Sequence, residues 1–344
     1  MADKALTLTE HLASQQAFLS PALAPNVAAI VGRIGRVGAV IAQELAHAVF
    51  HDRLGYLGGS NVSGDQVKKL DLWGHETMLA GLRATGACAA VISEEAGDPV
   101  EIPEAAGAHG LVVCCDPVDG SSNLDVGGAV GTIFSVRPSK GQSPAGPAAL
   151  GPGTDQVAAG YVMYGPATLM VYTVGQGTHG FTLHRDTGEF LLTHPQIRVP
   201  KKGKTYGINE GNARAWHPGQ RAFIDYLKTP DKPTGRPYSL RYSGAMVADV
   251  HRMLLDGGLF MYPADYTDPA KPKGKLRLLY EVAPMSFVME QAGGMASTGT
   301  ERCLELVAKE YHQRAAILLG SQEDVARAEE YYRQYSATQE RTRP

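Results

Sequence analysis

The sequence predicts an α+β chain, with sheet strands crowded into the first part and helices into the last. Three observations carry that expectation. Apolar residues recur at helical spacing from Asn26 to Val49, short β-branched runs punctuate residues 88–174, and amphipathic helical periodicity returns after Pro200.

The first helix is read from apolar residues at 27, 30, 31, 34, 37, 41, 45 and 49, with Asn26 placed to cap it. Within it, "GRIGRVG" spaces Gly32, Gly35 and Gly38 three apart. That spacing misses the dinucleotide-binding fingerprint and follows no strand, so it predicts close packing of the helix instead. The runs "CAAVIS" (88–93), "LVVCC" (111–115), "GTIFSVR" (131–137), "GYVMY" (160–164) and "LMVYTV" (169–174) predict strands. Between the third and fourth, "SKGQSPAGPAALGPGTD" (139–155) predicts a flexible surface loop. Farther on, "GAMVADVHRMLLDGG" (244–258) and "APMSFVMEQAGG" (283–294) predict helices that stop at paired glycines, with "LRLLY" (276–280) as a strand between them. The apolar pattern breaks at "RVPKKGK", which divides the chain into an α/β unit over 1–200 and a second over 201–335. No internal repeat is visible.

Composition narrows the function. A net charge of −3 gives no field to draw nucleic acid, so a polyanionic ligand has to be met by local charge. Cys88, Cys114, Cys115 and Cys303 form no C-x-x-C pair and read as reduced core residues, with the vicinal pair on opposite faces of a strand. The first twenty residues suit neither a signal peptide nor an organelle address, and no run of about 18 apolar residues occurs. A cytoplasmic protein with no membrane partner is expected.

The chemistry concentrates in "CDPVDGSSN", where Asp116 and Asp119 end an apolar run and Gly120, Ser121 and Ser122 follow with hydroxyls and exposed N–H groups. Asp65, Asp71, Glu94, Glu95 and Glu281 also sit at element ends or loops. Gathered together, such carboxylates would repel and raise one another's pKa values unless cations lay among them. Oxygen ligands without His or Cys favour magnesium or manganese over zinc, and the Val118 carbonyl can join the two aspartates as a neutral ligand. The Gly120–Ser122 nest suits a phosphoryl group. Asp-Pro and Asp-Gly also form ordinary turns, and that alternative stands for the motif taken alone. Donors on one side and cations on the other favour phosphate ester hydrolysis.

The segments "NVSGDQVKKLD", "ISEEAGDPVEIP", "DPVDGSSNLD", "RYSGAMVADVHR" and "GKLRLLYEVAPMSFVMEQAGGMASTG" resemble the class I fructose-1,6-bisphosphatase family, over roughly residues 58–300. "DPVDGSSN" alone marks only the wider magnesium-dependent, lithium-sensitive phosphatases. The resemblance implies hydrolysis of the 1-phosphate of D-fructose 1,6-bisphosphate, in gluconeogenesis or the Calvin cycle, on a layered αβαβα sandwich of two mixed sheets assembled as a homotetramer. It implies two or three Mg2+ per subunit, with Mn2+ as a substitute, held by Asp65, Glu94, Asp116, the Val118 carbonyl, Asp119 and Glu281. Asp71 and Glu95 would orient and deprotonate the attacking water. Asp119, Gly120, Ser121 and Ser122 would meet the 1-phosphate side of the substrate. Asn209, Tyr242, Tyr262 and Lys275 would bind the remainder, with Arg241 reaching a neighbouring subunit's site.

Departures from the family pattern matter. "NEGN" replaces the usual "NEGY", so Asn212 stands where an aromatic hydroxyl would grip the 6-phosphate. Sedoheptulose-1,7-bisphosphatase activity, sole or dual, is therefore the nearest rival reading; an inositol-phosphatase-like enzyme and a non-catalytic sugar-phosphate sensor are further ones. The run that binds the inhibitor AMP in animal enzymes has no counterpart around "PALAPNVAAI", and Gly110-Leu111 replaces a lysine-tyrosine pair, so animal-type AMP inhibition is expected to be weak or absent. Glu44, His47 and His51 fall on one helical stripe, but nothing else nearby in the sequence supports a transition metal, and the stripe reads as a solvated face or a subunit contact. Lys68-Lys69, between the two loop acids, would either steer the substrate or balance charge, and charge balance is the preferred reading.

Overall fold

The computed structural model describes residues 5–60, 66–105, 110–139, 146 and 150–341. The first helix, Leu8–Gln15 (α1), opens with a capping box in which Thr7 Oγ1 accepts from the Glu10 N–H and Glu10 Oε2 accepts from the Thr7 N–H at 2.8 Å. The long helix expected from Asn26 runs Ala24–His47 (α2). Asn26 does not cap it. Pro25 lies in the first turn, where its fixed φ and missing N–H suit a helix start, and Asn26 follows inside that turn. A Cβ on Gly35 would lie 2.6 Å from Leu8 Cδ2, and one on Gly38 would lie 3.1 Å from Val162 Cγ2, so the glycines do set close packing. By length and composition α2 would also suit a membrane span, but Val27, Ile30, Val31, Ile34 and Ile41 are fully buried inside the molecule.

Tyr56–Ser60 (β1) and Gln66–Lys68 (β2) form a small antiparallel pair leading into Lys69–Arg83 (α3). Then comes the main sheet. Its strands are Cys88–Ser93 (β3), Val100–Glu101 (β4), Leu111–Asp119 (β5), Val130–Pro138 (β6), Ala158–Tyr164 (β7), Thr168–Thr173 (β8), Thr178–His184 (β9) and Glu189–Ile197 (β10). They are ordered β10-β9-β8-β7-β6-β5-β3-β4, antiparallel throughout except for β3 beside β5. The five runs read as strands are all present. β9 and β10 were not anticipated, because "THGFTLH" and "EFLLTHPQI" mix histidines and threonines into their apolar pattern and β10 also carries Pro195. Most of the expected 139–155 loop lies outside the described residues; Gly153–Asp155 forms a 3-10 turn.

The second sheet takes Thr205–Gly207 (β11), Ser239–Leu240 (β12), Leu259–Tyr262 (β13), Met295–Ser297 (β15) and Ile317–Gly320 (β17), in the order β12-β11-β13-β17-β15 with parallel and antiparallel pairs. Leu276–Arg277 (β14) pairs separately with Arg314–Ala315 (β16). The expected strand at 276–280 is therefore only two residues long. Leu278–Val282 instead winds into a π-helical turn, since Leu278, Leu279 and Tyr280 are buried on every side and their apolar run holds no period to separate strand from helix.

Three apolar clusters show how the layers stack. α1, α2 and α3 cover one face of the main sheet together with Val91, Val113, Cys115 and Phe134. The other face, with Ile92, Val112 and Cys114, packs on Met246–Asp256 (α5) and Ala283–Gln291 (α6), which in turn meet Phe260 and Leu319 of the second sheet. Pro218–Lys228 (α4) and Gln322–Arg341 (α7) close the far side over Leu259, Met261 and Leu318. The result is an αβαβα sandwich of two mixed sheets. Cys114 and Cys115 fall in different layers, as strand alternation requires, and all four cysteines are free and buried.

Candidate active site

Two aspartates three residues apart on a regular strand would face opposite sides of the sheet. β5 avoids this with a bulge: Asp116 pairs with Ile133 and Asp119 with Gly131, three steps on one strand against two on the other. The bulge is tied down by Thr132 Oγ1, which donates to the Pro117 carbonyl at 2.7 Å. The Val118 N–H donates to Asp116 Oδ1 at 3.0 Å, so the turn aims its own carboxylate. Asp119 Oδ2 accepts from the Val247 N–H at 2.8 Å, in the first turn of α5, where the helix dipole favours an anion.

The next residues lock this end of β5 to the loop before α5. Gly120 has φ +75°, and a Cβ there would lie 2.5 Å from Ala245 Cβ. Asn123 Nδ2 donates to the Ser243 carbonyl at 3.1 Å, and the Ser243 N–H donates to Asp249 Oδ1 at 2.9 Å. "DPVDGSSN" and "RYSGAMVADVHR" are thus two halves of one corner.

The remaining acids arrive from three other elements. Asp71 stands in the first turn of α3; one oxygen accepts from the Lys68 N–H at 3.0 Å, while Oδ1 is buried and finds no hydrogen-bond partner of good geometry among the described residues. Glu94 and Glu95 follow β3, and the Glu94 N–H donates to the Cys115 carbonyl. Glu281 lies in the π-helical turn and accepts from the Arg277 N–H at 2.6 Å. Asp116, Asp119 and Glu281 each offer an oxygen within 4.8 Å of the others, all three buried. These acids, with Val118, Gly120, Ser121, Ser122 and Lys275, line one cavity of about 400 Å3.

Crowding shows in the acidities. Burial, and then the charges of Asp119, Glu281, Glu95 and Asp71, hold Asp116 well above the usual carboxylate range. Burial likewise raises Asp119 to about 7 and Asp71 to about 6, against the pull of the backbone N–H groups that bond them. Such a pocket favours cations, and its all-oxygen donor set suits hard ones.

Arg277 was missed by the sequence reading. Its guanidinium pairs with Glu94 and its Nε lies 3.6 Å from Glu281 Oε2, so a cationic side chain already sits among the acids. The available signal was its place four residues before Glu281 in "GKLRLLYE". Lys68 and Lys69 pair not with the neighbouring acids but with Asp125 and Asp52, each at 2.7 Å, and Lys68 also lines the cavity.

Four expected substrate residues do not line the cavity. Asn209 caps the 3-10 turn Glu210–Ala215, its Oδ1 accepting from the Gly211 N–H at 3.1 Å. Burial, and then the nearby Tyr262, Asp249 and Asp119, push the Tyr242 hydroxyl up to about 12. Arg241 is exposed, with Nη1 donating to the Leu240 carbonyl. Asp65 lies outside the described residues.

Comparison with known proteins gives a consistent family. Family models described as the N-terminal and C-terminal domains of fructose-1-6-bisphosphatase match residues 6–195 and 199–333. A protein of Oleidesulfovibrio alaskensis named fructose-1,6-bisphosphatase class 1 is 45% identical over 336 residues, covering 96% of this chain and 99% of that one. A protein of the same name from Chlorobium phaeobacteroides is 44% identical over 330 residues, covering 95% and 98%. The crystal structure of Leishmania major fructose-1,6-bisphosphatase in holo form superposes with a TM-score of 0.87 at 36% identity, covering 96% of this chain and 99% of that one. With sequence and structure agreeing over nearly the whole length, this chain belongs to the fructose-1,6-bisphosphatase family.

Proposed function

We propose that the chain hydrolyses D-fructose 1,6-bisphosphate at its 1-phosphate, releasing fructose 6-phosphate and inorganic phosphate. The observation that carries this is the convergence of acids from four separate elements on one cavity whose wall also holds the Gly120–Ser122 donors. The residues suit a resident Mg2+: the donors are all oxygens, three buried carboxylates are within reach of one ion, and beside them Asp71 Oδ1 is buried without a hydrogen-bond partner of good geometry among the described residues. Glu94, Asp116, the Val118 carbonyl, Asp119 and Glu281 would hold it, with Asp65 as a further ligand. Bound there, Mg2+ would neutralise charge developing on the transferring phosphoryl group.

The chain's own groups do the rest. Asp71 and Glu95 orient a water and take its proton. The water oxygen bonds to phosphorus as the bond from phosphorus to the sugar's C1 oxygen breaks, with the phosphoryl oxygens held by Gly120, Ser121 and Ser122. Arg277 balances Glu94 and Glu281 until cations replace it. Asn209, Tyr242, Tyr262 and Lys275 bind the sugar and the 6-phosphate, and Arg241, exposed on the single chain, serves a neighbouring subunit's site in a homotetramer. We assign this enzyme to the cytoplasm, with most cation ligands in unit 1–200 and the sugar-phosphate residues in unit 201–335. Leu111, fully buried at the start of β5, offers no donor to AMP, which supports weak or absent animal-type inhibition.

A phosphate-release assay with Mg2+ tests the reading. Turnover of fructose 1,6-bisphosphate by the parent chain and its loss in Asp119→Asn are expected, because an amide is a poorer magnesium ligand. Asn212, exposed on the 3-10 turn with its N–H donating to the Asn209 carbonyl at 3.1 Å, supports sedoheptulose 1,7-bisphosphate as a second substrate. Faster release from that sugar than from the fructose compound would reverse the order.

A further inference from the structure

The exposed end of α2 and the turn that follows it carry two histidines for which the acid pocket has no use. His47 and His51 are four residues apart, and the last helical turn continues far enough for the His51 N–H to donate to the His47 carbonyl at 3.1 Å. Their exposed rings are nearly parallel, with an interplanar angle of 18° and centroids 5.7 Å apart. Each Nδ1 is already engaged: that of His47 with the Gln43 carbonyl oxygen at 2.8 Å, and that of His51 with Glu44 Oε2 at 3.0 Å. A carbonyl and a carboxylate only accept, so each Nδ1 carries the proton and donates it. In the neutral rings both lone pairs therefore lie on Nε2. Glu44 is itself held by Arg53 Nε at 2.7 Å, which fixes the carboxylate that orients His51.

Imidazoles whose Nδ1–H is given to a carbonyl or carboxylate, with Nε2 left outward, are arranged as metal ligands are. We propose that the Nε2 atoms of His47 and His51 form a two-point site for a divalent transition metal of the zinc, nickel and copper class, water completing its coordination. The metal draws the two exposed rings together from their parallel stance. The carbonyl end of a helix favours a cation at this place. Imidazole donors select borderline metals, so the site does not duplicate the oxygen-lined acid pocket. It also has a mechanical consequence. The turn after His51 sends Asp52 to Lys69 Nζ at 2.7 Å and lays Arg53 over the Trp73 ring at 5.2 Å, so a metal clamping His51 to His47 stiffens the joint between α2 and the start of α3, where Asp71 stands.

Equilibrium dialysis of the full chain against Ni2+, with Mg2+ in large excess to fill the oxygen-lined pocket, reads the site directly. A single nickel ion per chain is expected. Binding weakens roughly a hundredfold in His47→Asn and in His51→Asn, because each removes the second tethered ligand. It weakens roughly tenfold in Glu44→Gln, which loosens the orienting hydrogen bond. Mg2+-dependent phosphate release stays at the parent level in all three variants, showing that the fold survives. No nickel bound by the parent chain, nickel binding that persists in both histidine variants, or binding that disappears in Asp119→Asn instead, would each overturn the proposal.

Discussion

Gly120→Ala is the most discriminating perturbation of the corner where β5 meets α5. The backbone there has φ +75°, which costs an L side chain about 1–2 kcal/mol. The added methyl would also lie 2.5 Å from Ala245 Cβ and 2.9 Å from Ala245 Cα, and forcing such a contact apart adds about 1–3 kcal/mol. The expected loss is therefore about 2–5 kcal/mol. Gly127 supplies the control, since its φ of +68° is similar but nothing lies within 4 Å of its added Cβ. Gly127→Ala should cost only the backbone part, about 1–2 kcal/mol. Urea unfolding of both variants gives the difference. Because Ala245 precedes the Val247 N–H that holds Asp119, a shift of about 1 Å at this corner should also lower turnover on the order of a hundredfold in Gly120→Ala alone. Equal destabilisation of the two variants, or full activity in Gly120→Ala, would refute the claim that close approach of the two loops sets this site.

Two further outcomes follow from charge. Arg277→Met removes the guanidinium that pairs with Glu94 and Glu281, and should destabilise the Mg2+-free chain by about 3–5 kcal/mol, with much of the loss recovered on adding Mg2+; a melting-temperature deficit of the same size with and without Mg2+ would contradict it. His11, buried against Tyr172 and His179, is held neutral, its pKa lowered to about 4 by burial and then by His179. The unfolded chain then binds the extra proton, so the stability is fully present above pH 6.5 and is lost as the pH falls toward 4, up to about 3 kcal/mol in all. Urea midpoints across that window should fall less in His11→Phe than in the parent chain, and parallel curves would show that His11 is not responsible.

The resemblance to a phosphatase family and the acids at 71, 94, 95, 116, 119 and 281 were legible because they sit in local motifs at strand ends and helix starts, where residue type and spacing carry the signal. The same holds for α2, for five strands of the main sheet and for the opposite faces of Cys114 and Cys115, all of which follow from the 3.6- and 2-residue periods. Arg277 was not legible, since a cation between two apolar residues in "KLRLLY" reads equally as an edge charge, and only the fold of the π-helical turn carries it in among the acids. Nor was the bulge that turns Asp116 and Asp119 to one side, because it exists only in the register of β5 against β6. The partners of both motifs, Val247 for Asp119 and Ser243 for Asn123, lie more than a hundred residues away. Local pattern determines what each segment forms and which groups it offers; which of those groups share a cavity depends on contacts between distant segments, and no short-range period encodes them.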